Sequence, residues 1–168
     1  MNRTFSASMD NFTKAITISF CILAGAVIAF MFFRLLTDKV YFWVELATGV
    51  TLLLAIAISY LFKPSNYVVT SYSFIINRPL GEIEIPLNNI ESAEKVEDKD
   101  MRFSLRLFGV GGLFGFYGIF SNKKFGRMRW YASRRNRFVL IKTTGNKKIV
   151  ITPDDISLAE MIMKNKAA

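Results

Sequence analysis

Two membrane-crossing helices followed by a mainly-β domain that ends in one helix is the architecture this sequence predicts, on three observations. Two long uncharged apolar runs stand near its start. Short β-branched and aromatic segments separated by turn residues come next, and the last segment repeats its apolar residues with a helical period. The 168 residues are 52% hydrophobic yet carry a net charge of +9, so apolar and charged residues must occupy different segments. With no His and one Cys, Cys21, the chain offers no His-based acid–base centre, no Cys/His zinc site and no intramolecular disulfide. No catalytic residue, metal or cofactor is expected.

Residues 1–14 form a short polar lead. From Ala15 to Phe33 there is no charge over 19 residues, close to the ~20 that a helix rising ~1.5 Å per residue needs to cross ~30 Å of hydrocarbon. This is the first span, 15–33. Residues 34–39 make a tight external loop, and the second span, 40–62, tolerates Glu45 near its start and is closed by Lys63-Pro64. Tyr41, Phe42 and Trp43 suit the outer interface. A signal peptide would have a shorter apolar core and a small-residue cleavage site. Lys14, Lys63 and the basic remainder place both termini in the cytoplasm by the positive-inside rule.

Small residues recur at every fourth position on both spans, as Thr17, Cys21, Gly25 and Ala29, then Ala47, Thr51, Ala55 and Ser59. Lipid tails solvate Leu as well as another helix does, so small faces are where membrane helices meet. Either the two helices of one chain pack there, or two copies of the chain do. Glu45 reads either as an ion-pathway carboxylate or as a side chain that snorkels to the nearby loop.

Residues 63–168 read as seven strands and a helix. YVVT (67–70), SFIIN (73–77) and the alternating EIEIP (82–86) come first, then a polar, mostly acidic stretch (88–100). RFSLRL (102–107), RMRWY (127–131), FVLIK (138–142) and KKIVI (147–151) complete the seven, with Gly145-Asn146 turning the last hairpin. Thr152-Pro153-Asp154-Asp155 combines a capping hydroxyl, proline at the first helical position and acids at the positive dipole end, which predicts a helix to about Lys164. Ile156, Ala159 and Met163 form its apolar stripe. These elements fit a small, strongly bent antiparallel barrel or sandwich capped at one end by the helix.

Half of the ten glycines fall between Gly109 and Gly118. The Lys-Ser/Thr of a phosphate-binding loop is missing, and no helix pattern follows, so the run is a packed or interfacial loop. The order from Leu107 to Gly118, then Phe125-Gly126, Tyr131-Ala132-Ser133 and Ile151-Thr152-Pro153-Asp154, resembles the bacterial pleckstrin-homology-like domain family. The resemblance covers roughly residues 65–165 and implies a bent seven-stranded barrel closed by a C-terminal helix, here tethered to a membrane. It brings no catalytic residues, and fold does not carry a ligand with it. The expected location is the bacterial inner membrane.

Charge distribution supplies the expected site. Between Met101 and Pro153 there are twelve Lys or Arg and no acid. Two readings stand for Phe114, Phe116, Tyr117 and Phe120: they meet the inner leaflet, or they pack on the β domain. Arg102, Arg106, Lys123, Lys124, Arg127 and Arg129 would correspondingly engage lipid phosphates or form a solvated face. A turn carrying Arg134, Arg135 and Arg137 is a further candidate contact for headgroups or an acidic partner. The function expected is a non-enzymatic, membrane-anchored binding or scaffold module that meets anionic lipid headgroups or a protein partner, with a second copy of the chain as one such partner. A transport subunit or membrane enzyme using Glu45 or the carboxylates of the β domain is the alternative, and nucleic acid is not expected as a ligand.

Overall fold

The computed structural model describes residues 2–37 and 41–167. Helix α1 spans Asn11–Thr37 and α2 spans Phe42–Phe62. Their 27 and 21 residues give lengths of about 40 and 30 Å. The α1 helix starts four residues before the uncharged run because Asp10 caps it, its carboxylate accepting the Thr13 N–H at 2.8 Å. The α2 helix ends at Phe62 because Pro64 forces Lys63 into an extended conformation. Within the loop expected over 34–39, Arg34–Thr37 continue α1, and residues 38 and 39, like Val40, lie outside the described residues. Large apolar side chains such as Ile22, Leu23, Phe30, Trp43 and Leu53 point outward without protein cover. At the far end of the pair, Arg34 reaches the buried Glu45 at 3.4 Å.

The β domain has two sheets. The first is fully antiparallel in the order β1 (Arg3–Ser6), β2 (Asn66–Val69), β3 (Ser73–Arg78), β4 (Gly81–Pro86). The second runs β5 (Ile90–Val96), β9 (Phe138–Thr143), β10 (Lys148–Ile151), β8 (Gly126–Ala132), β7 (Phe116–Asn122), β6 (Leu105–Gly111), and its only parallel pair among the described residues is β10 with β8. A short helix, α3 (Asp98–Met101), follows β5. The closing helix α4 (Leu158–Lys166) buries Leu158, Ala159 and Ile162 in a core between the two sheets, with Phe74 and Ile76 of the first and Ile90, Val139 and Ile141 of the second. A second core of Met101, Phe116, Phe120, Met128, Trp130 and Phe138 lies within the other sheet. Alternation along β9 decides the division: Val139 and Ile141 face the first core, Phe138 and Leu140 the second.

The fold class agrees with expectation, but the described residues form ten strands rather than seven, and not all antiparallel. The additional strands are β1, β5 and β7. A bulge in β5 between Ile90 and Ser92 puts Ile90 and Ala93 in one core, while Val96 faces the other, so burial lacks a two-residue period and the segment reads as a polar loop. The terminal helix also begins later than its capping signals suggest. The Thr152 hydroxyl accepts the Ser133 N–H at 2.9 Å instead, Asp154 is drawn to Arg134 and Ser8, and Asp155 accepts the Ser157 N–H at 2.9 Å. Turns therefore occupy the residues up to Leu158.

The N-terminal residues are part of the domain. Phe5 on β1 is 3% exposed and stands opposite Tyr67 of β2. Arg134 donates to the Ser8 carbonyl at 3.0 Å and pairs with Asp154. Both membrane-length helices thus form an insertion between two adjacent strands of one sheet.

Candidate functional site

The glycine run is a β-hairpin rather than a loop. In the β6–β7 ladder Gly109 sits opposite Gly118, with φ of 110° and 122°. A Cβ on Gly109 would come within 2.2 Å of the Tyr117 carbonyl, and one on Gly118 within 2.3 Å of the Phe108 carbonyl. Only glycine permits both the backbone conformation and the approach of the two strands.

The tip of this hairpin sits between the N-terminal end of α1 and the C-terminal end of α2. On the α1 side, the Thr17 hydroxyl accepts the Phe114 N–H at 2.9 Å and donates to the Gly112 carbonyl at 3.4 Å. A side chain on Gly112 would meet Ile16 at 3.3 Å. On the α2 side, the Tyr117 hydroxyl donates to the Ser59 carbonyl, and the Phe114 ring meets Tyr60 edge-on at 5.5 Å. Lys63 lies over the Tyr60 ring at 4.3 Å. Replacing Thr17 with Val leaves the Phe114 N–H without its acceptor. We expect a loss of about 1–3 kcal/mol in detergent-solubilised protein, measured by thermal unfolding.

This docking takes up two residues of the small-residue stripe, Thr17 and Ser59. Thr17 and Ser59 are buried at the hairpin contacts and Cys21 is half-buried, whereas Gly25, Ala29, Ala47, Thr51 and Ala55 are exposed. The two helices instead approach where Gly49 faces Met31 and Arg34 meets Glu45.

Phe116, Tyr117 and Phe120 are buried within the protein, and Phe114 is half-buried against Tyr60. The exposed apolar surface lies on the neighbouring edge strand and its lead-in, where Phe103 is 82% and Phe108 74% exposed and Leu105 and Leu107 are also open. The signal in the sequence was the RFSLRL alternation, but a bulge between Arg106 and Phe108 puts apolar side chains outward on both sides of it. Phe108 and Val110 continue onto Ile58 and Phe62 of α2 to line a groove of about 520 Å³, with Arg78 and Arg129 at its margin.

The basic residues divide into two sets. Arg134 and Arg137 are structural: Arg134 ties Ser8 to Asp154, and Arg137 donates its N–H to Asp98 at 3.1 Å and its guanidinium to the Asp154 carbonyl. Lys124 pairs with Asp100 at 2.5 Å. Arg102, Arg106, Lys123, Arg127, Arg129 and Arg135 are exposed and have no carboxylate within ion-pair distance among the described residues.

Two buried phenols brace the domain. Tyr67 donates to the Tyr131 carbonyl at 2.7 Å and accepts the Thr152 N–H at 3.3 Å. Burial pushes its pKa up, and pushes that of Tyr117 up to about 12. The unfolded chain releases both protons near pH 10 while the native state holds them, so stability is intact below pH 10 and falls as pH rises toward 12. Urea unfolding should give a lower midpoint at pH 11 than at pH 8, with a smaller drop for the Tyr67→Phe/Tyr117→Phe pair. An equal drop in that pair would remove the tyrosines as the cause.

The bacterial PH domain family model matches residues 65–167. No curated protein and no solved structure matches the chain.

Proposed function

The chain belongs to the bacterial PH domain family, and on that premise we propose that it is a membrane-anchored, non-enzymatic binding module whose cationic surface engages the anionic inner leaflet. The observation that carries this reading is the docking of the glycine hairpin between the ends of two apolar helices, which fixes the β domain at membrane level. A buried core helix would cover its apolar residues, but those of α1 and α2 are turned outward. Cleavage of α1 as a signal would remove β1 from its sheet. Pairing of β1 with β2 puts both ends of the helical insertion on one side, and the basic flanks make that side cytoplasmic. Arg34 pairs with one oxygen of the buried Glu45, which supports a structural role for this side chain over an ion pathway.

Each free cation near an anionic surface contributes about 1 kcal/mol, decaying over about 8 Å. Because the helices already tether the domain, this attraction orients it and enriches anionic lipid beneath it. Full-length protein reconstituted in mixed phosphatidylglycerol and phosphatidylcholine vesicles, then extracted in mild detergent, should carry an excess of phosphatidylglycerol. The Lys123→Gln/Arg127→Gln/Arg129→Gln variant and extraction at 1 M salt should both reduce that excess. Co-purified lipid with the bulk composition in the unaltered protein would refute the reading.

A further inference from the structure

On the face of the β6–β8 strands opposite the Arg129 groove, a cavity of about 740 Å³ separates the sheet from the first turns of α1. Its floor is aromatic: Phe120 stacks on Trp130 at 4.5 Å and Trp130 meets Phe138 at 5.4 Å. Phe12 and Ile16 of α1 form the facing wall. The charged groups around it are Lys99, Arg102, Arg106 and Arg135 against Asp10 and Asp98. Both carboxylates are already engaged by backbone N–H groups, Asp10 by Thr13 and Arg135, Asp98 by Arg137. Lys99 pairs with Glu97. That leaves three guanidiniums without a carboxylate partner among the described residues, and Arg135 is held over the Phe12 ring at 4.4 Å.

Trp130 is 4% exposed, and its indole N–H has no hydrogen-bond partner among the described residues. A buried donor without an acceptor is costly, and native proteins rarely leave one so.

We propose that this cavity takes a single anionic phospholipid from the inner leaflet. Its phosphate lies among Arg102, Arg106 and Arg135, and its glycerol and upper acyl segment lie against Phe12, Ile16 and the aromatic floor. Cations at the rim and aromatics below match an amphiphile, whereas a free phosphate would leave the floor empty. The volume is that of a small-molecule site. Depth agrees as well: α1 begins at Asn11, four residues before the uncharged run, so Phe12 stands at headgroup level and Ile16 just inside the hydrocarbon. The assignment rests on the reading of α1 as a membrane span.

The chain has two tryptophans, so Trp43→Phe leaves Trp130 as the sole indole. Reconstituted in nanodiscs, this full-length variant should show Trp130 quenching by phosphatidylglycerol with brominated chains, and not by brominated phosphatidylcholine. Soluble glycerol phosphate should not relieve the quenching. Native mass spectrometry at high salt should retain one phosphatidylglycerol per chain, with occupancy at least about tenfold lower in Arg102→Gln/Arg106→Gln and unchanged in Lys123→Gln/Arg127→Gln/Arg129→Gln. Equal quenching by both lipids, relief by glycerol phosphate, or full retention in the arginine pair variant would overturn the assignment. Loss of the bound lipid signal with the general phosphatidylglycerol excess intact overturns the cavity alone, and loss of both overturns the surface reading too.

Discussion

Gly118→Ala should destabilise the protein by about 3 kcal/mol or more and free the β6–β7 hairpin from both helices. The residue has φ 122°, and the new Cβ would press on the Phe108 carbonyl, so backbone strain and overpacking add at one position. Gly109→Ala should behave alike, since the two face each other in the ladder. The contrast is Gly25→Ala, where nothing lies within 4 Å and the backbone is helical; this change should be neutral or slightly stabilising. Near-UV circular dichroism of the detergent-solubilised protein, followed through thermal unfolding, separates the three. Equal midpoints for Gly118→Ala and Gly25→Ala would mean that the close strand approach does not exist in solution.

Phe5→Ala should cost about 3–5 kcal/mol, a large effect for a residue five positions from the start of the chain. Phe5 is 3% exposed within the core shared by the first sheet and α4. Its loss opens a cavity where β1 meets β2, and the strand has only four residues with which to compensate. The same unfolding measurement serves. A change under about 0.5 kcal/mol would show that the N-terminal segment is not an integral strand, and would reopen the reading of α1 as a removable leader.

What could be read from the sequence follows the range of the interactions involved. The two long apolar helices were legible because a long run with little or no charge, 19 residues in the first, is a local property, and so were β3, β4 and β9, whose side chains alternate or run apolar. β1 was not, since a single Phe among polar residues becomes a strand only when residues 66–69 lie beside it. Thr17 and the glycine cluster were both singled out, yet their connection spans 97 residues, and no periodicity on either side encodes it. The stripe was therefore assigned to helix–helix packing, while its one buried hydroxyl on α1 with a partner in the β domain caps the hairpin tip. Asp154 shows the same effect: its place in a helix-start pattern was right locally, and Arg134 outcompetes that role. The basic surface was legible as charge, but the division between structural arginines and free ones depends on which carboxylates the fold brings near.

The position of β1 also has a consequence for biosynthesis. Arg3 is made well before its neighbour in the sheet, Val69, so this edge stays open while roughly sixty further residues are made, about 3–12 s at ordinary elongation rates. On the proposed membrane reading, the translocon would have to accept both apolar segments during that interval and return the chain to the side where it began. A nascent chain that inserted only one of them would strand the two halves of the sheet on opposite sides of the bilayer. On that reading, the first sheet closes only in chains that have inserted both segments.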